Sequence, residues 1–122
     1  MQKGIDPLVN TPRPLELRST LTSGALIVEA VGEIDMTTAA ELIEAVEATA
    51  LSTRRVVVDL SAVSFLDSSG LNALVHARRA LAARDVAFCV VSPSNRVVRR
   101  VLEITQLTAE LGVVESLDDA LG

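Results

Sequence analysis

Two short runs of apolar residues without polar alternation constrain the fold of this chain most. Val56–Val58 contains three β-branched residues, and Val86–Val91 has no polar side chain other than a single thiol. A strand with this pattern is usually covered on both faces, as in a parallel sheet. We therefore predict that both runs are buried strands with helices packed against them.

The chain opens differently. Leu15–Thr20 alternates apolar and polar positions, which is typical of a half-covered strand. The turn residues Ser23 and Gly24 separate it from a second strand at Ala25–Val31, so we expect a hairpin. Residues 1–14 contain three prolines and no apolar period, which predicts a flexible N-terminal arm.

Helix-forming segments alternate with the later strands. We predict four helices: at Ala39–Leu51, at Leu71–Ala83, from Ser92-Pro93-Ser94 onward, and at Leu117–Leu121. The third of these helices carries the apolar residues Val97, Val98, Val101 and Leu102. Thr37 or Thr38 can cap the first helix, with Glu41 at capping-box spacing from Thr38. A loop is expected between Leu60 and Phe65, and a short strand at Leu111–Val114.

The resulting order is β-β-α-β-α-β-α-β-α. It favours one α/β domain over residues 15–122, with a mixed, mostly parallel sheet of four to five strands and about four helices. A chain of 122 residues can bury the core of such a domain without disulfides or metals.

Composition excludes several functions. The formal net charge of -5 argues against direct nucleic-acid binding, which needs cations to displace counterions. Cys89 is the only cysteine and His76 the only histidine, so neither a thiolate cluster nor a multi-histidine metal site is expected, and no cofactor is predicted. No stretch has membrane-spanning length and no signal-peptide pattern opens the chain, so we expect a cytoplasmic protein with Cys89 as a small buried hydrophobe.

Arginines gather at Arg78–Arg79 and at Arg96–Arg100. Such clusters usually lie on solvated helix faces. The alternative is a docking patch for an acidic partner surface.

The segment with most chemical content is Asp67-Ser68-Ser69-Gly70, which joins apolar residues to a predicted helix. The first N–H groups of a helix have no internal partner, and Asp67, Ser68 or Ser69 could each cap them. The same position tolerates a phosphate, because a helix N-terminus carries a partial positive charge. Two adjacent serines allow one to serve the helix while the other stays reachable by a kinase.

The chain resembles the STAS domains of bacterial anti-sigma factor antagonists from about Leu15 to Leu121. The resemblance rests on four collinear segments: Gly32-Glu33-Ile34-Asp35 with Thr38-Ala39; Val57-Val58-Asp59-Leu60; Val63-Ser64-Phe65-Leu66-Asp67-Ser68-Ser69-Gly70-Leu71; and Val90-Val91-Ser92-Pro93 with Val97. Two residues depart from the family pattern. Asn72 replaces a small residue after the motif leucine, and Gln106 stands where glycine is usual.

The resemblance implies that an anti-sigma factor that is also a serine kinase phosphorylates Ser68. The unphosphorylated antagonist binds this kinase and frees its sigma factor, and a phosphatase is a further candidate partner. Asp35 is expected near the phosphorylation site and Asp67 to shape it. The full expected partner-binding surface comprises Asp35, Thr37, Asp67, Ser68, Ser69, Gly70, Asn72 and His76. We expect a monomer or weak dimer.

Two alternatives stay open. The chain could be an unphosphorylated STAS binding subunit of a transporter or stress-signalling assembly, or a purely structural subunit. Asn72, His76 and Arg79 share the outer face of the motif helix, either as an ordinary solvated face or as an extension of the contact from Ser68.

An enzyme is not favoured. His76 lies roughly 10–12 Å along the helix from the two serines, beyond direct proton transfer. The nucleophile elbow Gly-x-Ser-x-Gly and the phosphate-binding loop Gly-x-x-x-x-Gly-Lys are both absent. No catalytic residue is therefore assigned.

Overall fold

The computed structural model describes residues 13–22, 24–49 and 53–122. In these residues the elements are β1 (Leu15–Thr22), β2 (Ala25–Ile34), α1 (Ala39–Thr49), β3 (Arg55–Leu66), α2 (Ser68–Ala82), β4 (Ala87–Val91), α3 (Val97–Ile104), β5 (Val113–Val114) and α4 (Leu117–Leu121). The predicted α/β class and the predicted element order are confirmed.

The five strands form one sheet in the order β1-β2-β3-β4-β5. β1 pairs with β2 antiparallel, from Leu15 opposite Gly32 to Thr22 opposite Ala25, which confirms the hairpin. Part of its predicted turn, Ser23, lies outside the described residues. All later pairs are parallel, so β2, β3 and β4 bring their carboxyl ends to the same edge of the sheet.

Both faces of the central strands are covered, as their unbroken apolar pattern predicts. Val56 and Val58 belong to a cluster that includes Leu42 of α1, Leu74 of α2 and Leu102 of α3. Their neighbour Val57 points to the opposite face and packs with Val91 and with Ala120 of α4. The chain therefore has two helical layers of unequal size around the sheet.

The prediction of a loop between Leu60 and Phe65 is wrong, because β3 continues without interruption to Leu66. Its pairing with β2 shifts register between Glu29 and Val31 and again between Gly32 and Glu33. These irregularities place Leu60, Val63 and Leu66 on the buried side at intervals of three residues. A period of three hides the alternation by which a strand is recognised.

Several predicted boundaries also move. α2 starts at Ser68 rather than Leu71, and β2 extends to Ile34. α3 starts at Val97 rather than at Ser92-Pro93-Ser94, because Arg96 has an extended backbone that separates those residues from the helix. The Ser94 N–H and hydroxyl both donate to the Glu115 carboxylate. Two differences are smaller: β4 begins one residue after Val86, and β5 excludes Leu111. α1 is described to Thr49, so its predicted end at Leu51 lies outside the described residues.

Other expectations concern single residues. Cys89 is only half-buried, and burial raises the pKa of its thiol. Val97, expected on the apolar face of its helix, is exposed. Most of the predicted N-terminal arm, residues 1–12, lies outside the described part of the chain, while the Pro14 carbonyl accepts a hydrogen bond from the Glu33 N–H over 2.8 Å. No helix among the described residues is long and apolar enough to cross a membrane.

Candidate functional site

Two turns meet at the carboxyl edge of the sheet. β2 ends at Ile34 and β3 ends at Leu66, and these two residues are register partners. The Asp67 N–H continues the ladder by donating to the Ile34 carbonyl over 3.3 Å. Parallel pairing therefore brings the turn that starts at Asp35 beside the turn that starts at Asp67, although the two residues are 32 positions apart in the sequence.

Asp67 is the N-cap of α2. Its backbone is extended, and its Oδ1 accepts hydrogen bonds from the Ser69 N–H at 2.9 Å and the Gly70 N–H at 3.1 Å. The sequence left Asp67, Ser68 and Ser69 as equal candidates for this role. Because the carboxylate of Asp67 satisfies the two free N–H groups, neither serine hydroxyl is needed as a cap.

Ser68 is the first residue of α2 and is exposed, whereas Asp67 and Ser69 are half-buried. Its hydroxyl makes no hydrogen bond with any residue in the described ranges. The side chain is thus held by the first helical turn and open to solvent. This is the geometry that a modifying enzyme or a protein partner requires.

Gly70 is buried and allows the two turns to approach. A Cβ atom built at this position would lie 2.9 Å from both the Cγ2 atom and the carbonyl oxygen of Ile34, and would also collide with Leu66. Any larger residue would push α2 away from the ends of β2 and β3. Gly70 therefore shapes the site without presenting a surface to a partner.

The Asp35 carboxylate is organised by its own turn. Its Oδ1 accepts hydrogen bonds from the Thr37 N–H at 2.9 Å and the Thr37 hydroxyl at 2.8 Å, with the Thr38 hydroxyl at 3.3 Å. The hydroxyl of Thr37 is the largest of the causes that lower the pKa of Asp35 below its ordinary value. Hydrogen bonds to a carboxylate favour its charged form, so Asp35 carries a fixed negative charge beside the Ser68 turn.

Thr38 is a further residue of the site that the sequence singled out only as a possible helix cap. It is 1% exposed, donates to the Glu33 carbonyl at 2.9 Å, and accepts from the Asp35 N–H at 2.9 Å. Its hydroxyl faces back to β2 and fixes the Asp35 turn instead of capping with Glu41. The capping-box spacing correctly indicated a structural hydroxyl here but gave it the wrong partners.

Met36, which the sequence did not single out, lies between these residues with 80% of its surface exposed. An exposed methionine supplies flexible apolar area at a contact surface. No spacing or motif signalled it, because a single methionine after a strand carries no pattern.

Asn72 and His76 extend the site along α2. With Ser69 on the same helix and Ala39 and Ile43 of α1, they line a shallow groove of about 350 Å³ between the two helices. The Nε2 atom of His76 lies 3.3 Å from Oε2 of Glu47 on α1. Arg79 turns away from this groove, to Glu110 at 3.4 Å, so the three residues expected on one face divide between two neighbours.

The features of the site are thus binding features: two carboxylates, a free hydroxyl, an exposed thioether and a groove at one edge of an α/β sheet. In the described part of the chain, no three His, Cys, Asp or Glu residues are grouped so as to hold a metal ion. His76 is paired with Glu47, on the far side of the groove from the serine turn.

Fold and site together define a STAS domain: the family model described as "STAS domain" matches residues 16–120, and the chain belongs to this family. The anti-sigma-F factor antagonist RsfB of Mycobacterium tuberculosis (strain CDC 1551 / Oshkosh) is 37% identical over 100 residues, covering 81% of this chain and 80% of that protein. The resemblance to anti-sigma factor antagonists is confirmed.

Solved structures show the same likeness. A crystal structure of an anti-sigma factor antagonist from Mycobacterium paratuberculosis matches with a TM-score of 0.78 and 36% identity, over 88% of this chain and 91% of that one. The anti-sigma factor antagonist SpoIIAA in its unphosphorylated form matches with a TM-score of 0.66 and 21% identity, over 86% and 90%. The second match shows a shared fold alone.

Proposed function

We propose that this protein is an anti-sigma factor antagonist in the cytoplasm. Its unmodified form binds an anti-sigma factor that is also a serine kinase, and the sigma factor held by that kinase is released. Phosphorylation of Ser68 then ends the contact. The relatives named as anti-sigma factor antagonists support the class of partner. The observation that carries the switch is the exposed hydroxyl of Ser68, which makes no hydrogen bond with any described residue.

Phosphorylation at this position is chemically simple. The kinase transfers the γ-phosphoryl group of ATP to Oγ of Ser68, the hydroxyl proton is lost, and ADP leaves. A phosphatase restores the hydroxyl by hydrolysis of the phosphate ester. The antagonist itself supplies a positioned hydroxyl and no catalytic group.

The fold tolerates the added phosphate. Ser68 lies at the N-terminus of a 15-residue helix, where the partial positive charge of the helix favours an anion. Its side chain is exposed, so the phosphate stays in water. The modified protein should therefore keep its structure while its surface changes.

The added phosphate disturbs the binding surface more than it disturbs the fold. A phosphate adds about -1.5 to -2 charges at neutral pH. It joins the carboxylates of Asp35 and Asp67, which the β2–β3 pairing holds at the same edge. A partner fitted to the unmodified surface then meets a concentrated negative charge, and desolvating such a charge at an interface costs a few kcal/mol, on the order of a hundredfold in affinity.

The direct test combines phosphosite mapping with a pull-down. Unmodified protein, a candidate anti-sigma factor kinase and ATP are incubated, and peptide mass spectrometry locates the added phosphate. We expect it on Ser68, with Ser68→Ala unmodified and still bound by the kinase. Phosphate on Ser69 would move the site by one residue, and a stable contact without any phosphate would favour the alternative of an unphosphorylated STAS binding subunit.

A further inference from the structure

α3 carries an apolar stripe on its solvent side. Val97 is 76% exposed and Ile104 is 69% exposed, and Val101 between them is partly buried. At about 3.6 residues per turn, these three positions fall on one line along the helix. Val98 and Leu102, on the other side, are buried and attach the helix to the core. We call Val97, Val101 and Ile104 the α3 stripe.

Basic side chains border this stripe. Arg100 lies next to it on the helix surface, is exposed, and makes no hydrogen bond or ion pair with any residue that the structure describes. Arg96, at the N-cap, is also exposed, and among the described residues it bonds to the Val63 carbonyl alone, at 3.5 Å. Arg99 differs, because it is committed to the Ser92 carbonyl and to the carboxylates of Glu103 and Glu115.

The second arginine cluster lacks this combination. Arg78 and Arg79 both contact Glu110, through its carbonyl and its carboxylate respectively. Of the two clusters, the one on α3 presents a guanidinium group, that of Arg100, without a partner among the described residues and beside exposed aliphatic side chains. In a chain with a net charge of -5, this is a local reversal of sign.

From this surface we infer that α3 docks an acidic amphipathic protein segment, one with an apolar side flanked by carboxylates. The aliphatic side of the segment would cover Val97 and Ile104. Its carboxylates would meet Arg100, which can form paired hydrogen bonds with a carboxylate, and Arg96. The proposed contact does not use the Ser68 hydroxyl and needs no phosphorylation.

Two other occupants fit less well. A second copy of the chain, packed through α3 around a two-fold axis, would bring the basic borders of the two stripes together, and like charges at close range oppose that pairing. An anionic membrane would cover much more than one helix face. It would meet the acidic remainder of the surface, whereas a docked segment senses only charges within a Debye length of about 8 Å.

The experiment uses the unmodified full chain, labelled with ¹⁵N, without kinase or ATP. Two synthetic helical peptides are titrated, one with a leucine stripe flanked by glutamates and one with lysines in place of the glutamates. We expect amide shifts confined to α3 and its neighbours, and affinity for the acidic peptide about tenfold or more above that for the basic one. Equal affinities, or shifts centred on Ser68, would overturn the proposal.

Substitutions sharpen the result. Arg100→Glu should weaken the acidic peptide about tenfold, and Ile104→Ser should weaken both peptides. Because both side chains are exposed, neither change should unfold the domain, and a circular dichroism melt checks this. Arg84→Glu makes the same charge change at an exposed position in the turn after α2 and should leave peptide affinity unchanged. Three outcomes would contradict docking of an acidic segment. The first is an equal loss of peptide affinity with Arg84→Glu. The others are a concentration-dependent dimer that is lost in Arg100→Glu, and binding to phosphatidylglycerol vesicles but to neither peptide.

Discussion

The backbone N–H of Asp67 donates a hydrogen bond to the carbonyl oxygen of Ile34 over 3.3 Å, and this contact joins the residue that follows β3 to the last residue of β2. It holds the Asp35 turn and the Ser68 turn side by side. The Asp35 carboxylate and the Ser68 hydroxyl come from distant parts of the chain, and their proximity is a property of the strand register.

The Asp67 carboxylate should stabilise the domain as a helix cap. We expect Asp67→Ala to lower the free energy of unfolding by about 0.5–2 kcal/mol, because two N–H groups lose their acceptor. Urea denaturation measures the change. Ser69→Ala is the matched control and should cost far less, because its hydroxyl has no hydrogen bond within the described residues. Equal losses would show that a serine shares the cap.

Gly70→Ala should reverse the usual effect of this substitution. In an unconstrained helix, alanine is more favourable than glycine by about 1 kcal/mol. Here the added methyl group would meet Ile34 at 2.9 Å, so we expect a net destabilisation of roughly 1–3 kcal/mol. Asn72→Ala, at an exposed position two residues later, should be neutral or slightly stabilising. A more stable Gly70→Ala protein would mean that α2 can move away from β2 freely.

Thr37 should control the ionisation of Asp35. Its hydroxyl and N–H hold the pKa of Asp35 below the ordinary value of 3.8. A carboxyl group whose pKa is lowered by folding adds stability above its unfolded-state pKa, and this contribution disappears as the pH falls through the folded-state pKa. Thr37→Val should therefore raise the pKa of Asp35 and reduce the pH dependence of stability in that acidic range. A carbon-detected NMR titration follows the Asp35 carboxyl directly, and Thr20→Val is the control. An unchanged pKa of Asp35 in Thr37→Val would contradict the role of the Thr37 hydroxyl.

Gln106 occupies a conformation that suits glycine. It follows the C-cap of α3 with a φ of 61°, and its N–H donates to the Glu103 carbonyl. A left-handed conformation costs a residue with a Cβ about 1–2 kcal/mol, while glycine loses more chain entropy on folding. We expect Gln106→Gly to raise the free energy of unfolding by several tenths of a kcal/mol, up to about 1, and Gln106→Ala to give no gain. A thermal melt distinguishes these outcomes.

The sequence predicts the fold better than it predicts β3. The unbroken runs at Val56–Val58 and Val86–Val91 correctly indicate a parallel sheet, because burial on both faces leaves no room for polar positions. Between Leu60 and Leu66, the irregular pairing with β2 spaces buried residues by three, and a strand with that spacing resembles a loop. The start of α3 is displaced to Val97 by the extended backbone of Arg96, and the segment before it is held by a hydrogen bond from Ser94 to Glu115, 21 residues later, which no local pattern can reveal.

The site divides in the same way. Ser68 follows from the motif and the resemblance, but the motif alone does not say which of three short polar side chains caps the helix. That choice depends on the direction in which Asp67 leaves β3. The roles of Thr38 and Met36 depend on the fold of the Asp35 turn, so local spacing could not assign them.

Binding of this protein to the proposed anti-sigma factor kinase, before and after stoichiometric phosphorylation, tests the proposed switch most directly. Isothermal titration calorimetry should give tight binding for the unmodified protein and for Ser68→Ala. The protein phosphorylated on Ser68 should bind roughly a hundredfold or more weakly, with an unchanged circular dichroism spectrum. Equal affinity of the phosphorylated and unmodified forms would contradict the claim that charge gained at Ser68 ends the contact.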